Sequence, residues 1–269
     1  MTPPAVPSPH PEIRVEQEGH VTTVTLDRPH AKNACTGDMW VSLGEIFRAL
    51  SYSGTRVVVL TGAGGEFCAG ADLSGSADGP REPRDGNRLD PMRALADAVV
   101  GVHGCAVPTI AKVDGVCVGG GFGLALACDL LWCSDRARFS AIYAKRGLSL
   151  DFGTSWLLRQ RIGVHRAKEL AFTAEMIDAA RAREIGFVNA VVPAASFDTA
   201  TAELAATIAG GPPVALSSTK RQLDFAGTSS LVQALELETL AQNVNQETSD
   251  LREALTAWAE RRPPEFRGR

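Results

Sequence analysis

The sequence carries little excess charge. In 269 residues, 27 Lys and Arg stand against 31 Asp and Glu, a formal net charge of −4. That balance gives no overall attraction for nucleic acid or an anionic lipid surface. Long hydrophobic runs are also lacking, because the most apolar window, 116–128, is too short to cross a bilayer and ends at Asp129. The first eleven residues are rich in Pro and lack the basic-then-apolar order of a secretory leader. Cys35, Cys68, Cys105, Cys117, Cys128 and Cys133 form no C-x-x-C pair, and the closest two lie five apart. Metal-ligand spacing is therefore absent, and the six read as small, buried free thiols in a reducing compartment. No fixed repeat period is present, which excludes a solenoid of identical units. The expectation is a soluble cytoplasmic protein with no metal, no nucleic-acid partner and no membrane partner.

What is present is an α/β pattern. Ranges 13–17 and 21–27 read as two strands joined by a turn at Glu18, Gly19 and His20. Residues 38–50 place Trp40, Leu43, Phe47 and Leu50 on one helical face. The β-branched run 56–61 reads as a buried strand, and 108–113 and 116–118 as further strands around the turn Asp114-Gly115. The polar, Gly- and Pro-rich segment 74–90 reads as a mobile surface loop, followed by a helix over 93–102. Residues 122–128 have helical composition, and 130–134 and 137–140 read as short strands. Beyond Gly153 the texture becomes helical, with candidates at 155–161, 166–172, 178–184, 196–209, 214–225, 230–245 and 251–261, and one strand at 188–192. The organisation expected is a flexible leader over 1–11, an α/β core over 12–195 and a helical region over 196–269.

Glycine, 26 residues in all, is clustered. Cys68-Ala69-Gly70-Ala71-Asp72-Leu73 and Val118-Gly119-Gly120-Gly121-Phe122-Gly123 both follow strands. A strand, a Gly-rich turn and a helix start leave backbone N–H groups pointing outward, able to hold a phosphate or the oxyanion of a polarised carbonyl. Phosphate-loop and dinucleotide patterns are not satisfied, because Phe67 and Leu124 fall where the last glycine of G-x-G-x-x-G belongs. Gly147-Leu148-Ser149-Leu150-Asp151 lacks the closing glycine of a nucleophile elbow. A tight bend without function remains an open reading of either turn.

Five ordered segments together resemble the enoyl-CoA hydratase/isomerase (crotonase) family. They are Leu26-Asp27-Arg28-Pro29 with Lys32-Asn33-Ala34; the 67–73 segment; Pro108 to Gly115 followed by Gly119-Gly120-Gly121; Ala127-Cys128-Asp129; and the C-terminal Glu260 to Phe266 with Gly268. The resemblance implies a spiral of ββα turns with a C-terminal helical trimerisation region, assembled as trimers or dimers of trimers. It implies a coenzyme A thioester as substrate, with no separate cofactor. The thioester oxygen would accept hydrogen bonds from the backbone N–H groups of Ala71 and Gly120. Ala69, Gly70, Ala71, Asp72, Leu73 and Gly119 would follow the family in lining the ligand, and the 74–90 loop would form a wall of the acyl pocket. Lys32 and Arg267 would meet coenzyme A phosphates, against a reading of both as solvated surface charges.

Two positions depart from the family pattern. Gly123 and Tyr143 stand where the two-glutamate hydratases carry their carboxylates. Glycine moves no proton, and a tyrosine of ordinary pKa, about 10, is a poor base at neutral pH. Tyr143 then either donates a hydrogen bond to the acyl group or fills the space of the missing acid. Asp151 matches a position where several of the family's double-bond isomerases carry a catalytic acid, and Leu148, Leu150 and Phe152 are expected to shield it. Its competing reading is a cap for the helix opening near Thr154. Asp72 and Asp129 are expected to be structural, His165 a surface residue and His103 a loop residue. The expected activity is isomerisation of an acyl-CoA double bond with Asp151 as the proton shuttle. A non-catalytic acyl-CoA-binding protein, an atypical hydratase and a thioester hydrolase are the alternatives.

Overall fold

The computed structural model describes residues 10–74 and 90–269. The segment 75–89, nearly all of the expected surface loop, and most of the leader lie outside the described residues. The chain opens with an antiparallel hairpin, β1 (Ile13–Glu18) and β2 (Val21–Leu26), turned at Gly19. Helix α1 (Gly37–Leu50) carries it across to β3 (Val57–Gly62), which lies parallel to β2. Val57, Val58, Val59 and Leu60 are all buried, as a strand covered on both faces requires. Helix α2 (Asp90–His103) crosses α1 closely, and a Cβ on Gly101 would lie 2.7 Å from the carbonyl oxygen of Gly44.

The next two turns of the spiral share one plan. In the first, β4 (Thr109–Val113), β5 (Val116–Val118) and α3 (Gly120–Ala127) follow one another; in the second, β6 (Leu130–Ser134), β7 (Arg138–Ser140) and α4 (Thr154–Thr173) do. The first strand of each turn joins one sheet and the second joins another. The chain then forms β8 (Ile177–Asp178), α5 (Ala179–Ile185) and β9 (Ala190–Val192). The larger sheet runs β1-β2-β3-β4-β6-β9, and the smaller β5-β7-β8. Helices α6 (Phe197–Ala209), α7 (Pro213–Ala226), α8 (Leu231–Glu247) and α9 (Ser249–Glu260) complete the chain.

The expected helices 155–161 and 166–172 both stand, as two helical segments of α4 broken at Gly163, whose φ of 77° and ψ of 165° are not helical. The departures from the sequence reading are short elements and one strand start. A five-residue 3-10 turn, Ile142–Arg146, and the two-residue β8 are too short to leave a periodicity. Strand β9 begins only at Ala190, because Asn189 turns its side chain to the Leu131 N–H and Val188 packs into the core.

Helix α3 is the axis of the core. All eight of its residues, Gly-Gly-Phe-Gly-Leu-Ala-Leu-Ala, are buried and none has a polar side chain. Its C-terminal carbonyls need an outside donor. Arg161 from α4 supplies it, with Nη2 donating to the carbonyls of Leu126 at 2.5 Å and Cys128 at 2.7 Å. Arg161→Met is therefore expected to lower the unfolding free energy by about 2 kcal/mol, since it strands two carbonyls. A denaturant titration checks this. All six cysteines are free and buried, as expected, and burial pushes the Cys128 and Cys133 thiols up to about 12. Among the described residues no helix is long and apolar enough to cross a membrane, and no cluster of metal-ligating side chains is present.

Candidate active site

The two glycine turns meet. Cys68 donates its N–H to Val116 O (2.9 Å) and accepts from Val118 N (3.1 Å), so the first turn runs as an extra strand beside β5. On its other side Cys35 N donates to Gly70 O (2.8 Å) and Asp72 N to Cys35 O (2.9 Å). In such a parallel bridge the residues flanking Ala71 make the bonds, so the Ala71 N–H points away from Cys35. Gly70 (φ 93°) and Gly119 (φ 56°) hold conformations that L side chains rarely adopt. A Cβ on Gly70 would stand 3.3 Å from the Gly120 nitrogen, which shows how closely the turns abut.

Gly120 is the first residue of α3, whose opening N–H groups have no acceptor within the helix. Neither its N–H nor that of Ala71 has an acceptor among the described residues. The positive end of the α3 dipole adds to the pull on a negative oxygen there. The motif around Asn33 holds this corner in place. Asn33 Nδ2 donates to the carbonyls of Ala63 (2.8 Å) and Glu66 (2.6 Å), and its Oδ1 accepts from Arg28 N (2.9 Å).

The Asp151 segment folds over the start of α3. A Cβ on Gly120 would meet the Phe152 ring at 3.0 Å and Trp40 Cζ2 at 3.3 Å, and the two rings pack with centroids 4.4 Å apart. Phe152 has φ 48°, a conformation uncommon for a bulky residue and held here by that packing. Where the missing glutamate belongs, a Cβ on Gly123 would lie 2.5 Å from Phe152 O and 2.9 Å from Thr154 Oγ1. The space is filled by the backbone and Cβ of Phe152 and by the Thr154 hydroxyl.

Asp151 does not cap α4 with its side chain. The N-cap is Gly153, in the left-handed region, and the Thr154 N–H is taken by the Asp151 backbone carbonyl at 3.0 Å. The carboxylate is left free of helix duty, half-buried, and its Oδ1 is buried with no hydrogen-bond partner. Burial pushes the carboxyl above the ordinary aspartate range, offset in part by hydrogen bonding from Tyr143. Of the three residues expected to shield Asp151, Phe152 is buried and Leu150 packs half-buried against the core, whereas Leu148 is 57% exposed because the chain swings outward after the left-handed Gly147. The Tyr143 hydroxyl lies 3.5 Å from Asp151 O and 3.4 Å from Thr154 Oγ1, long for strong O–H···O bonds. Burial raises the Tyr143 pKa, so the phenol keeps its proton.

The remaining residues sort as follows. Asp72 pairs with Arg28 at 2.9 Å and accepts from Ser74 N; these hydrogen bonds, from Ser74 first, lower its pKa. Asp129 accepts from Thr109 N (2.7 Å) and pairs with Lys220 (2.8 Å), which ties α7 to the core. Leu73 is 51% exposed beside the first turn. Lys32 adjoins that turn through its carbonyl, which accepts from Ala69 N, while its exposed ammonium meets Glu66 at 3.0 Å. Arg267 sits on the C-terminal tail, its N–H on Asp250, and no hydrogen bond or ion pair among the described residues joins it to either glycine turn. His165 is exposed, and the His103 ring packs edge-on against Trp156. Sequence reasoning took Trp40 only as part of a helical face. Its meeting with Phe152, 112 positions along the chain, leaves no local signal.

The chain has counterparts among known proteins. The model of the enoyl-CoA hydratase/isomerase family matches residues 16–269. The 1,2-epoxyphenylacetyl-CoA isomerase of Escherichia coli is 32% identical over 94% of this chain and 97% of its own length. The solved enoyl-CoA hydratase of Bacillus anthracis superimposes with a TM-score of 0.90 at 31% identity, covering 96% of this chain and all of its own. A Thermobifida fusca protein solved in complex with CoA gives a TM-score of 0.80 at 33% identity, over 87% and 93% of the two chains. The chain belongs to the enoyl-CoA hydratase/isomerase family, with the crotonase fold.

Proposed function

We propose that this protein isomerises a carbon–carbon double bond in an acyl-CoA thioester, with Asp151 carrying the proton. The observation that bears most weight is the Asp151 carboxylate, half-buried with Oδ1 unpartnered, beside the turn that presents Gly120. In a 3-enoyl thioester the carboxylate takes a proton from C2, and the electron pair moves onto the thioester oxygen. The Ala71 and Gly120 amides stabilise that enolate oxygen. Asp151 then returns the proton to C4, and the double bond comes to rest between C2 and C3. One acid suffices, and no water enters the product. Hydration needs groups that orient and deprotonate water. Gly123 and a protonated Tyr143 offer neither, which favours isomerisation over the hydratase reading. Offered a 3-enoyl-CoA, the protein is expected to return the 2-enoyl isomer of unchanged mass; a 3-hydroxyacyl product, heavier by one water, overturns the reading.

The base must be ionised, so kcat/KM falls as pH drops through the Asp151 pKa. Because burial raises that pKa, the acid limb of the profile is expected above 3.8, the ordinary aspartate value. A limb centred at or below that value contradicts the assignment. The working form is an oligomer of three-fold symmetry, in which α7, α8 and α9 lie between copies. Leu231, Val232 and Trp258 are 75%, 76% and 81% exposed in the single chain, large apolar side chains that an interface between copies would cover. Sedimentation is expected to give a mass that is a multiple of three chains, and a monomer contradicts this.

A further inference from the structure

Trp40 packs against the second glycine turn. It lies little more than one helical turn beyond Cys35, the residue bridged to Ala71, and its ring reaches the Cβ side of Gly120. The side chain is 1% exposed, yet Nε1 has no hydrogen-bond partner among the described residues. A buried indole N–H usually finds an acceptor, and leaving one without is costly. The indole nitrogen is a donor only, so whatever satisfies it must be an acceptor. The thioester oxygen is already served by two backbone amides. Trp40 meets Gly120 on its Cβ side, through Cζ2 and against the ring of Phe152, the residue that follows Asp151.

Resting on the acyl-CoA reading above, we propose that Trp40 Nε1 is a specificity-determining donor for an oxygen on the acyl chain. The preferred substrate is then an acyl thioester bearing an ether, epoxide or ketone oxygen beyond the thioester, and not a plain hydrocarbon chain. The aromatic walls of Trp40 and Phe152 exclude the water that would otherwise take that hydrogen bond. A site of this kind penalises the analogue that lacks the acceptor, because the donor is again left unpaired.

The test uses octanoyl-CoA and its analogues in which a single chain methylene, at each position in turn, is replaced by an ether oxygen. None has a double bond to isomerise, so binding is read without turnover. Trp40→Phe is expected to weaken the tightest ether analogue about tenfold, with octanoyl-CoA changed less than twofold. In the unaltered protein the Trp40 indole proton resonance shifts on binding that analogue and stays in place with octanoyl-CoA, a readout that does not depend on the variant folding. Equal effects of the substitution on all ligands, or an indole resonance indifferent to the ether oxygen, overturn the proposal. Failure of octanoyl-CoA itself to bind counts against the acyl-CoA reading, whereas its binding with no response to oxygen counts against Trp40 alone.

Discussion

Asp151→Asn is expected to lower isomerase turnover by about a thousandfold, the ordinary worth of a positioned acid–base group, while acyl-CoA affinity changes less than twofold. The separation follows from the geometry. The amides of Ala71 and Gly120 belong to turns held by Cys35, Cys68 and Asn33, none of which bonds to the Asp151 side chain. Asparagine keeps the shape and loses the basicity. The same variant distinguishes a shuttle from a structural carboxylate by its stability. A buried aspartate whose pKa is raised on folding stabilises most when protonated, below its unfolded pKa, and that contribution is lost as pH rises through the folded value. At pH 7 the native Asp151 therefore carries an ionisation penalty that asparagine removes. Melting of Asp151→Asn at or above the wild-type temperature is expected, and a marked fall indicates that the carboxylate holds the fold.

Gly123→Glu, which restores the acid that two-glutamate hydratases carry, is expected to destabilise the protein by about 3 kcal/mol or more and to produce no hydratase. The new Cβ meets Phe152 O at 2.5 Å, Phe152 Cβ at 2.7 Å and Thr154 Oγ1 at 2.9 Å. Two of those atoms belong to a residue already held at positive φ by its packing on Trp40. Relief requires moving the Asp151–Thr154 segment, and with it the proposed base. Denaturant midpoints measure the loss. A variant as stable as the parent that also hydrates a 2-enoyl-CoA shows that the segment is free to yield and that the departure at position 123 is incidental.

Much of this was legible in the residues, for identifiable reasons. The Val-rich β3 and the one-sided face of α1 carry periodicities that only a buried strand and an amphipathic helix satisfy, and both stand within a residue of their expected ends. The two glycine turns were legible because positive φ at Gly70 and Gly119 is a demand few residues meet. The failures share a different cause. Whether Asp151 caps α4 depends on a left-handed Gly153 that hands the duty to a backbone carbonyl, a choice of conformation and not of composition. Leu148 was expected in the pocket on hydrophobicity alone, whereas the left-handed Gly147 sends it to solvent. Trp40 gains its place at the site from Phe152, across the spiral, and pairing at that range follows from topology.

The central claim, that one carboxylate moves one proton between two carbons of an acyl thioester, is tested most directly in heavy water. The wild-type protein and Asp151→Asn are each incubated with a 3-enoyl-CoA, and the 2-enoyl product is examined by mass spectrometry for deuterium at C4. Transfer by Asp151 predicts product with no added water, carrying at most one deuterium at C4, and essentially no product from the variant. Deuterated product formed by Asp151→Asn at the wild-type rate contradicts it.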